Sequence, residues 1–302
     1  MQKYLYAKLV KNLYLLYLCG MRERITIFFL KSLARLPLGL LYCVADLIYG
    51  VLYYIIRYRR DVTVKNLTEA FPEKSRKEIK KIEKEYYHYL ADQIAETVKL
   101  LHISDEELKR RVELTDIDKV NATLAEGRNA VVLMGHYGNW EWVQEITREF
   151  IPEAYMASIY RPLADKVWDD IYCMLRSRWG AHIIARDRVI RVLLDRKNFP
   201  WVCGFIADQR PSKKSDENWV EFLNHKTYFI YGPEDIGKKV NADFFYLEML
   251  KKGRGKYEIV INRLSEEGFE KPYPIMRAFW HEFEKTIRKY PAYWLWSHKR
   301  WK

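Results

Sequence analysis

The chain has 302 residues, 49% of them hydrophobic and 15% aromatic, which excludes a disordered polymer and leaves room for a full α/β core in one domain or two. Its formal net charge is +12, from 52 Lys and Arg against 40 Asp and Glu, so its partners are expected to be anionic: nucleic acid, an anionic membrane, or an acidic or phosphorylated substrate. Four cysteines, Cys19, Cys43, Cys173 and Cys203, lie far apart without C-x-x-C pairing, which argues against a disulfide framework or a zinc site and for free thiols in a reducing compartment.

The leading "MQKYLYAKLVKNLYLLYLCG" reads as a basic-aromatic arm, and Met21 is an alternative start of translation. Residues 36–56, "LPLGLLYCVADLIYGVLYYII", are nearly all apolar and approach the ~20 residues needed to cross a bilayer. Arg35 precedes this run and "RYRR" follows it, so it is read as a membrane anchor. Asp46 in its middle is costly in lipid, which leaves a helix lying in the membrane surface, or a buried helix, as alternatives to a plain span. A basic n-region followed by an A-x-A cleavage site is missing, so a cleaved signal peptide is not expected.

A charged helical region follows, opening on Ser75 and Glu78 as a capping box, a signal repeated by Ser104 and Glu107. From about residue 112 short apolar runs and helical patterns alternate. Strand-like "NAVVLMG", "AYMASIY", "AHIIA" and "WVCGFIAD" are separated by helix-like "WEWVQEITREF", "DKVWDDIYCMLRSRWG" and "VIRVLLDRK". That alternation predicts a mixed, largely parallel sheet flanked by helices, with Gly127 and Gly180 as helix C-caps. "DFFYLEMLKKGRGKYEIVINRL" predicts a strand pair, and a last helix spans about 273–290 before "PAYWLWSHKRWK". Residues 1–57 are taken as arm and anchor, and 58–302 as one catalytic domain.

The most informative stretch is "NAVVLMGHYGNWEWVQEITREF". Two residues five apart on a helix point ~140° away from each other. His136 and Glu141 therefore meet only if the histidine lies on the turn and the glutamate in the first helical turn. Asn139 is then the N-cap, and Gly135 and Gly138 let the backbone approach a ligand. A glutamate on one imidazole nitrogen fixes the tautomer and makes the other nitrogen a better base for a substrate hydroxyl. The bland reading of such a histidine is a hydrogen-bonded turn residue. The remaining histidines lack metal-ligand spacing, and neither a P-loop nor a G-x-G-x-x-G is present, so no metal or other cofactor is expected.

"GHYGNWE" resembles the H-x-x-x-x-[DE] box of the glycerolipid and lipid A acyltransferases, closest in wording to the bacterial late (secondary) lipid A acyltransferases. "RRDVTVKNLTEAFPEKS", "IYRPL...D" with an arginine and a glycine later in the helix, "ADQ" and "YWLWSHKRWK" extend the resemblance from about residue 59 onward. It implies a glycerolipid-acyltransferase-like fold, His136 as base with Glu141 as its partner, and substrate-positioning roles for Arg161 and Asp208. Asn139 and Gln209, inside the same two motifs, join the expected substrate-binding set, and Arg161 or the amides of the Gly135–Gly138 turn are candidate oxyanion donors. The donor implied is acyl carrier protein, and the acceptor a hydroxyl of a phosphorylated lipid A precursor. The place implied is the cell inner membrane, with the catalytic domain facing the cytoplasm. After "ADQ" the chain departs from the family's glycine- and phenylalanine-rich pattern with "RPSKKSDENWVEFLNHKTYF". The rival readings are an acyltransferase with a glycerolipid, aminolipid or pigment acceptor, and a non-catalytic membrane-associated protein that binds acidic partners. Nucleic-acid binding ranks lowest, because the basic residues gather into no known motif. "WLWSHKRWK" reads equally as a membrane-surface tail or as part of the site.

Overall fold

The computed structural model describes residues 24–151, 154–160, 162–195, 200–212 and 214–301. The basic-aromatic arm, Cys19, Met21 and Arg161 lie outside the described residues. Helix α1 covers residues 24–34, and α2 (Leu38–Gly50) runs on through a π-helical turn, Val51–Ile55. Then follow α3 (Arg60–Ala70), α4 (Arg76–Lys99), α5 (Asp105–Lys109), β1 (Val112–Thr115), α6 (Asp118–Ala125) and β2 (Asn129–Met134). A 3-10 segment, Trp142–Glu149, leads to β3 (Tyr155–Tyr160), α7 (Lys166–Ser177), β4 (His182–Ala185), α8 (Val189–Leu194) and β5 (Trp201–Ile206). The chain continues through a hairpin, β6 (Trp219–Phe222) and β7 (His225–Tyr228), into α9 (Gly232–Lys239), β8 (Ala242–Gly253), β9 (Lys256–Arg263) and α10 (Pro274–Lys289).

The main sheet has seven strands in the order β1-β9-β8-β2-β5-β3-β4. Strands β8, β2, β5, β3 and β4 run parallel, while β9 pairs antiparallel with β8 and parallel with β1. The continuous apolar run of β2 is explained by burial on both faces. Val131 and Leu133 face one core with Phe205, Phe244 and Phe283, whereas Ala130, Val132 and Met134 face the other with Trp142, Val202 and Phe245. The chain leaves β2 toward β3, passing β5, and leaves β5 toward β8, passing β2. Adjacent strands whose connections depart in opposite directions open a crevice at their carboxyl ends, the usual ligand position in such sheets.

The capping box at Ser75 is present, with Glu78 N–H donating to Ser75 Oγ and Ser75 N–H to Glu78 Oε2. Gly127 and Gly180 end their helices at φ 74° and 91°. One expectation changes: the segment after the motif is a 3-10 helix and not an α-helix. "WVEFLNHKTY", unassigned from the sequence, forms the β6–β7 hairpin, turning on Leu223 and Asn224 at φ 50° and 63°.

Leu38–Ile55, 18 residues, is long and apolar enough to cross a membrane. One side of it is docked on the domain: Leu38, Leu41 and Ala45 are buried, and Tyr42 Oη donates to Glu96 at 2.8 Å. Asp46 is not left bare, because Arg254 in the β8–β9 turn bridges it (2.6 Å) to Asp92 (2.7 Å). The opposite side carries Leu40, Leu47, Tyr54, Ile55 and Ile56, continued by Phe28 and Phe29 of α1, all exposed.

Candidate active site

The register of β2 on β5 builds the site. Met134 lies beside Ile206, and the Ala207 N–H donates to Met134 O at 2.8 Å. Two residues past each strand end, His136 and Asp208 are thereby brought side by side. Asp208 Oδ1 is 2.5 Å from His136 Nδ1, and Oδ2 accepts from the His136 N–H (2.9 Å) and from Trp294 Nε1 (2.8 Å). The carboxylate is only 3% exposed. Burial pushes its pKa up, but the His136 charge and the hydrogen bonds from His136 and Trp294 outweigh that and hold it at about 2. An ionised carboxylate only accepts, so Nδ1 carries the proton and the Nε2 lone pair points away from Asp208. Gln209 is exposed, with its amide nitrogen 3.3 Å from His136 Nε2.

The glycines of the turn meet protein and not a ligand. A Cβ on Gly135 would stand 2.1 Å from the Phe283 ring, and one on Gly138, at φ 59°, would stand 2.3 Å from Met249 O. Three of the four turn amides expected as oxyanion donors are engaged: His136 N–H with Asp208, Tyr137 N–H with Gly135 O (2.8 Å) and Gly138 N–H with Tyr293 O (3.1 Å). Tyr89 Oη donates to Gly138 O at 2.7 Å. The turn is thus a rigid mount for the imidazole.

Glu141 does not reach His136, because Asp208 occupies Nδ1 and the glutamate faces α7 instead. Arg176 grips it in bidentate fashion, Nε to Oε2 at 3.0 Å and NH2 to Oε1 at 2.6 Å, and Trp140 Nε1 adds a third bond at 3.2 Å. Burial lowers the Arg176 pKa, and the charge and hydrogen bonds of Glu141 more than restore it. Asn139 is fully buried and braced at both ends: Oδ1 accepts from the Trp142 N–H (3.1 Å), as an N-cap does, and Nδ2 donates to Glu96 Oε2 (2.6 Å). It supports the site from behind. Glu96 itself is buried, which raises its pKa, and also accepts from Tyr257 Oη at 2.7 Å.

The tail is buried, not spread on a surface: Trp294 and Trp296 are 3% and 0% exposed. Asn66 of the "VTVKNLTEAF" segment fastens it, donating to Trp296 O (2.9 Å) and His298 O (3.1 Å). Residue reading alone did not assign Arg176, Trp294 or Glu96 to the site; an arginine late in α7 and the aromatic tail were signalled only through the resemblance. Beside the base, Met134, Trp140, Val143, Met156, Gly204 and Ile206 line an apolar cavity of about 30 Å³ with Arg176 at its rim. The Trp140 ring stands edge-on to His136 at 5.3 Å.

The strand-end imidazole is thus held by Asp208 at Nδ1 and met at Nε2 only by the exposed Gln209 amide, at the crevice of a mixed α/β sheet. The chain belongs to the bacterial lipid A biosynthesis acyltransferase family, whose sequence profile matches residues 14–302. It is accordingly an enzyme that transfers acyl groups. Among curated proteins, no sequence matches it.

Proposed function

We propose that this enzyme moves a fatty acyl group from acyl carrier protein to a hydroxyl of a phosphorylated lipid A precursor, with His136 as base and Asp208 as its orienting partner. The observation that carries the reading is the His136–Asp208 contact with Nε2 left outward. The acceptor hydroxyl displaces the Gln209 amide, gives its proton to Nε2 and attacks the thioester carbonyl. The tetrahedral intermediate then expels the thiolate of the carrier's prosthetic arm, which takes the proton back from the imidazolium. His136 takes the one proton that moves from the hydroxyl and returns it to the leaving thiolate, so the step calls for no cofactor. The cavity beside Trp140 is the size of one water or methylene. An acyl chain laid there requires Trp140 or the Arg176–Glu141 rim to move.

Membrane association follows from the exposed side of α1 and α2. Ties from Tyr42 and Asp46 to the domain oppose a crossing helix and favour one lying half-sunk in the surface, as expected at the cytoplasmic face of the inner membrane. Each Leu or Ile moved out of water contributes about 1.5–3 kcal/mol. Leu47→Lys with Ile55→Lys, at positions 72% and 75% exposed, should therefore release the protein from anionic vesicles in a flotation assay while leaving its melting temperature within a few degrees. Retention equal to wild type would remove this face from membrane binding.

The donor is tested by comparing acyl carrier protein with acyl-coenzyme A, reading acylated precursor by mass spectrometry. A chain of net charge +12 attracts an acidic carrier, so transfer should fall as salt rises from low to high ionic strength. Equal turnover with acyl-coenzyme A, insensitive to salt, would overturn the carrier as donor.

A further inference from the structure

The tail that locks Asp208 through Trp294 also carries His298 and Arg300 into the same neighbourhood. Arg300 is 4% exposed, its NH2 donates to Tyr228 O, and its guanidinium stacks 5.0 Å over the Trp280 ring. Among the described residues, no hydrogen-bond partner reaches Arg300 Nε or His298 Nε2. Arg59, held at φ 49° just before α3, donates from NH1 to Ser297 O at 3.2 Å, which sets a second guanidinium against the tail. Arg210, exposed and two residues beyond Asp208, supplies a third cation whose charge acts on Arg300. The acid whose charge acts on both His298 and Arg300 is Asp208. Its oxygens are already taken by His136 and Trp294.

Arg300 and His298 thus each keep one nitrogen without a partner, Arg59 and Arg210 add their charge beside them, and the carboxylate that acts on both is committed elsewhere. Burial, set against the attraction of Asp208 and the repulsion of Arg210, brings Arg300 down to about 10, still a cation at neutral pH. Planar guanidinium forks match the oxygens of a phosphate, and a dianion relieves several crowded cations at once.

We propose that Arg59, Arg210, His298 and Arg300 form a seat for a phosphoryl group of a substrate, fixing that substrate relative to His136. This rests on the acyl-transfer reading for the identity of the substrate. The phosphate has two sources there, a sugar phosphate of the acceptor or the phosphodiester of the carrier's pantetheine arm.

The acceptor arm of the test compares the lipid A precursor with its dephosphorylated form. The donor arm compares acyl-phosphopantetheine with acyl-pantetheine. Wild-type protein should prefer the phosphorylated member of one pair, through KM. Arg210→Ala and Arg59→Ala, both at exposed positions, should each shrink that preference about tenfold, the size of one lost charge-assisted hydrogen bond. The pair in which the preference shrinks identifies the source. Inorganic phosphate titrated against tryptophan fluorescence should weaken in parallel, a readout that needs no turnover. If the preference and the phosphate affinity stay as in wild type for both variants, or if phosphorylated and dephosphorylated substrates lose equally, the seat is overturned. A wild-type protein that transfers no acyl group yet binds phosphate in an Arg210-dependent way refutes the transfer reading and keeps the seat.

Discussion

Two carboxylate-centred pairs start from one short motif, and they are built differently. His136–Asp208 joins two strand ends, and the second imidazole nitrogen meets only an exposed amide. Glu141–Arg176 joins the 3-10 segment to α7, and both carboxylate oxygens are closed off by a bidentate guanidinium and an indole. A guanidinium does not give up its proton at any working pH, so the second pair cannot relay one. The difference teaches that adjacency in a motif says little about which acid serves which base; the strand register decides it.

The largest effect that tests this contrast is loss of the first pair. His136→Ala should lower acyl transfer by about 10²–10⁴-fold, the usual contribution of a general base. Asp208→Asn should fall in the same range, and the double variant should be little worse than either one, because the two act as a unit. Far-UV circular dichroism checks that the variants fold. Wild-type-like transfer by a folded His136→Ala protein would break the mechanism.

Next in size is the second pair, where the measured quantity is stability. Glu141→Gln leaves a half-buried guanidinium without its counter-charge, a change expected to cost about 1.5–3 kcal/mol in urea unfolding, the range of hydrogen bonds to charged groups. Glu141→Gln combined with Arg176→Met should recover most of that loss, since replacing both members of a buried ion pair is often neutral. A double variant no more stable than Glu141→Gln alone would show that the pair does more than hold α7 to the 3-10 segment.

The smallest effect sharpens the comparison through Trp294. Trp294→Phe removes one donor from Asp208 Oδ2 and should lower transfer about tenfold. The acid response separates this from a packing defect. Asp208 titrates at about 2 in the fold against an ordinary value of 3.8, so it adds stability that is complete above about 4 and lost as pH falls toward 2. Without the indole its pKa rises toward 3.8, so the stability difference between pH 7 and pH 2 should shrink. An unchanged difference would mean that the indole does not help to hold the charge.

How much of this was legible in the sequence varied with the range of the interaction. Strand β2 could be read because both its faces are buried and its residues are correspondingly apolar throughout. The Ser75 cap could be read because its partner lies three residues away. The β6–β7 hairpin escaped because its turn uses Leu223 and Asn224 in the left-handed region, without the glycine that usually marks such a turn. The partner of His136 lies 72 residues downstream and that of Glu141 lies 35 downstream. Local spacing therefore offered Glu141, the nearest carboxylate in the motif, and only the pairing of β2 with β5 corrects it.

The lock on Asp208 has a temporal side. A ribosome makes His136, then Asp208, and Trp294 only 86 residues after that. His136 and Asp208 can meet as soon as β2 and β5 pair, but the indole and the segment through Arg300 follow only after β8, β9 and α10 have been made. A growing chain stalled just before Trp294 would hold all seven strands with Asp208 still bonded to His136 but without its indole donor, so the full lock on the carboxylate waits for the tail.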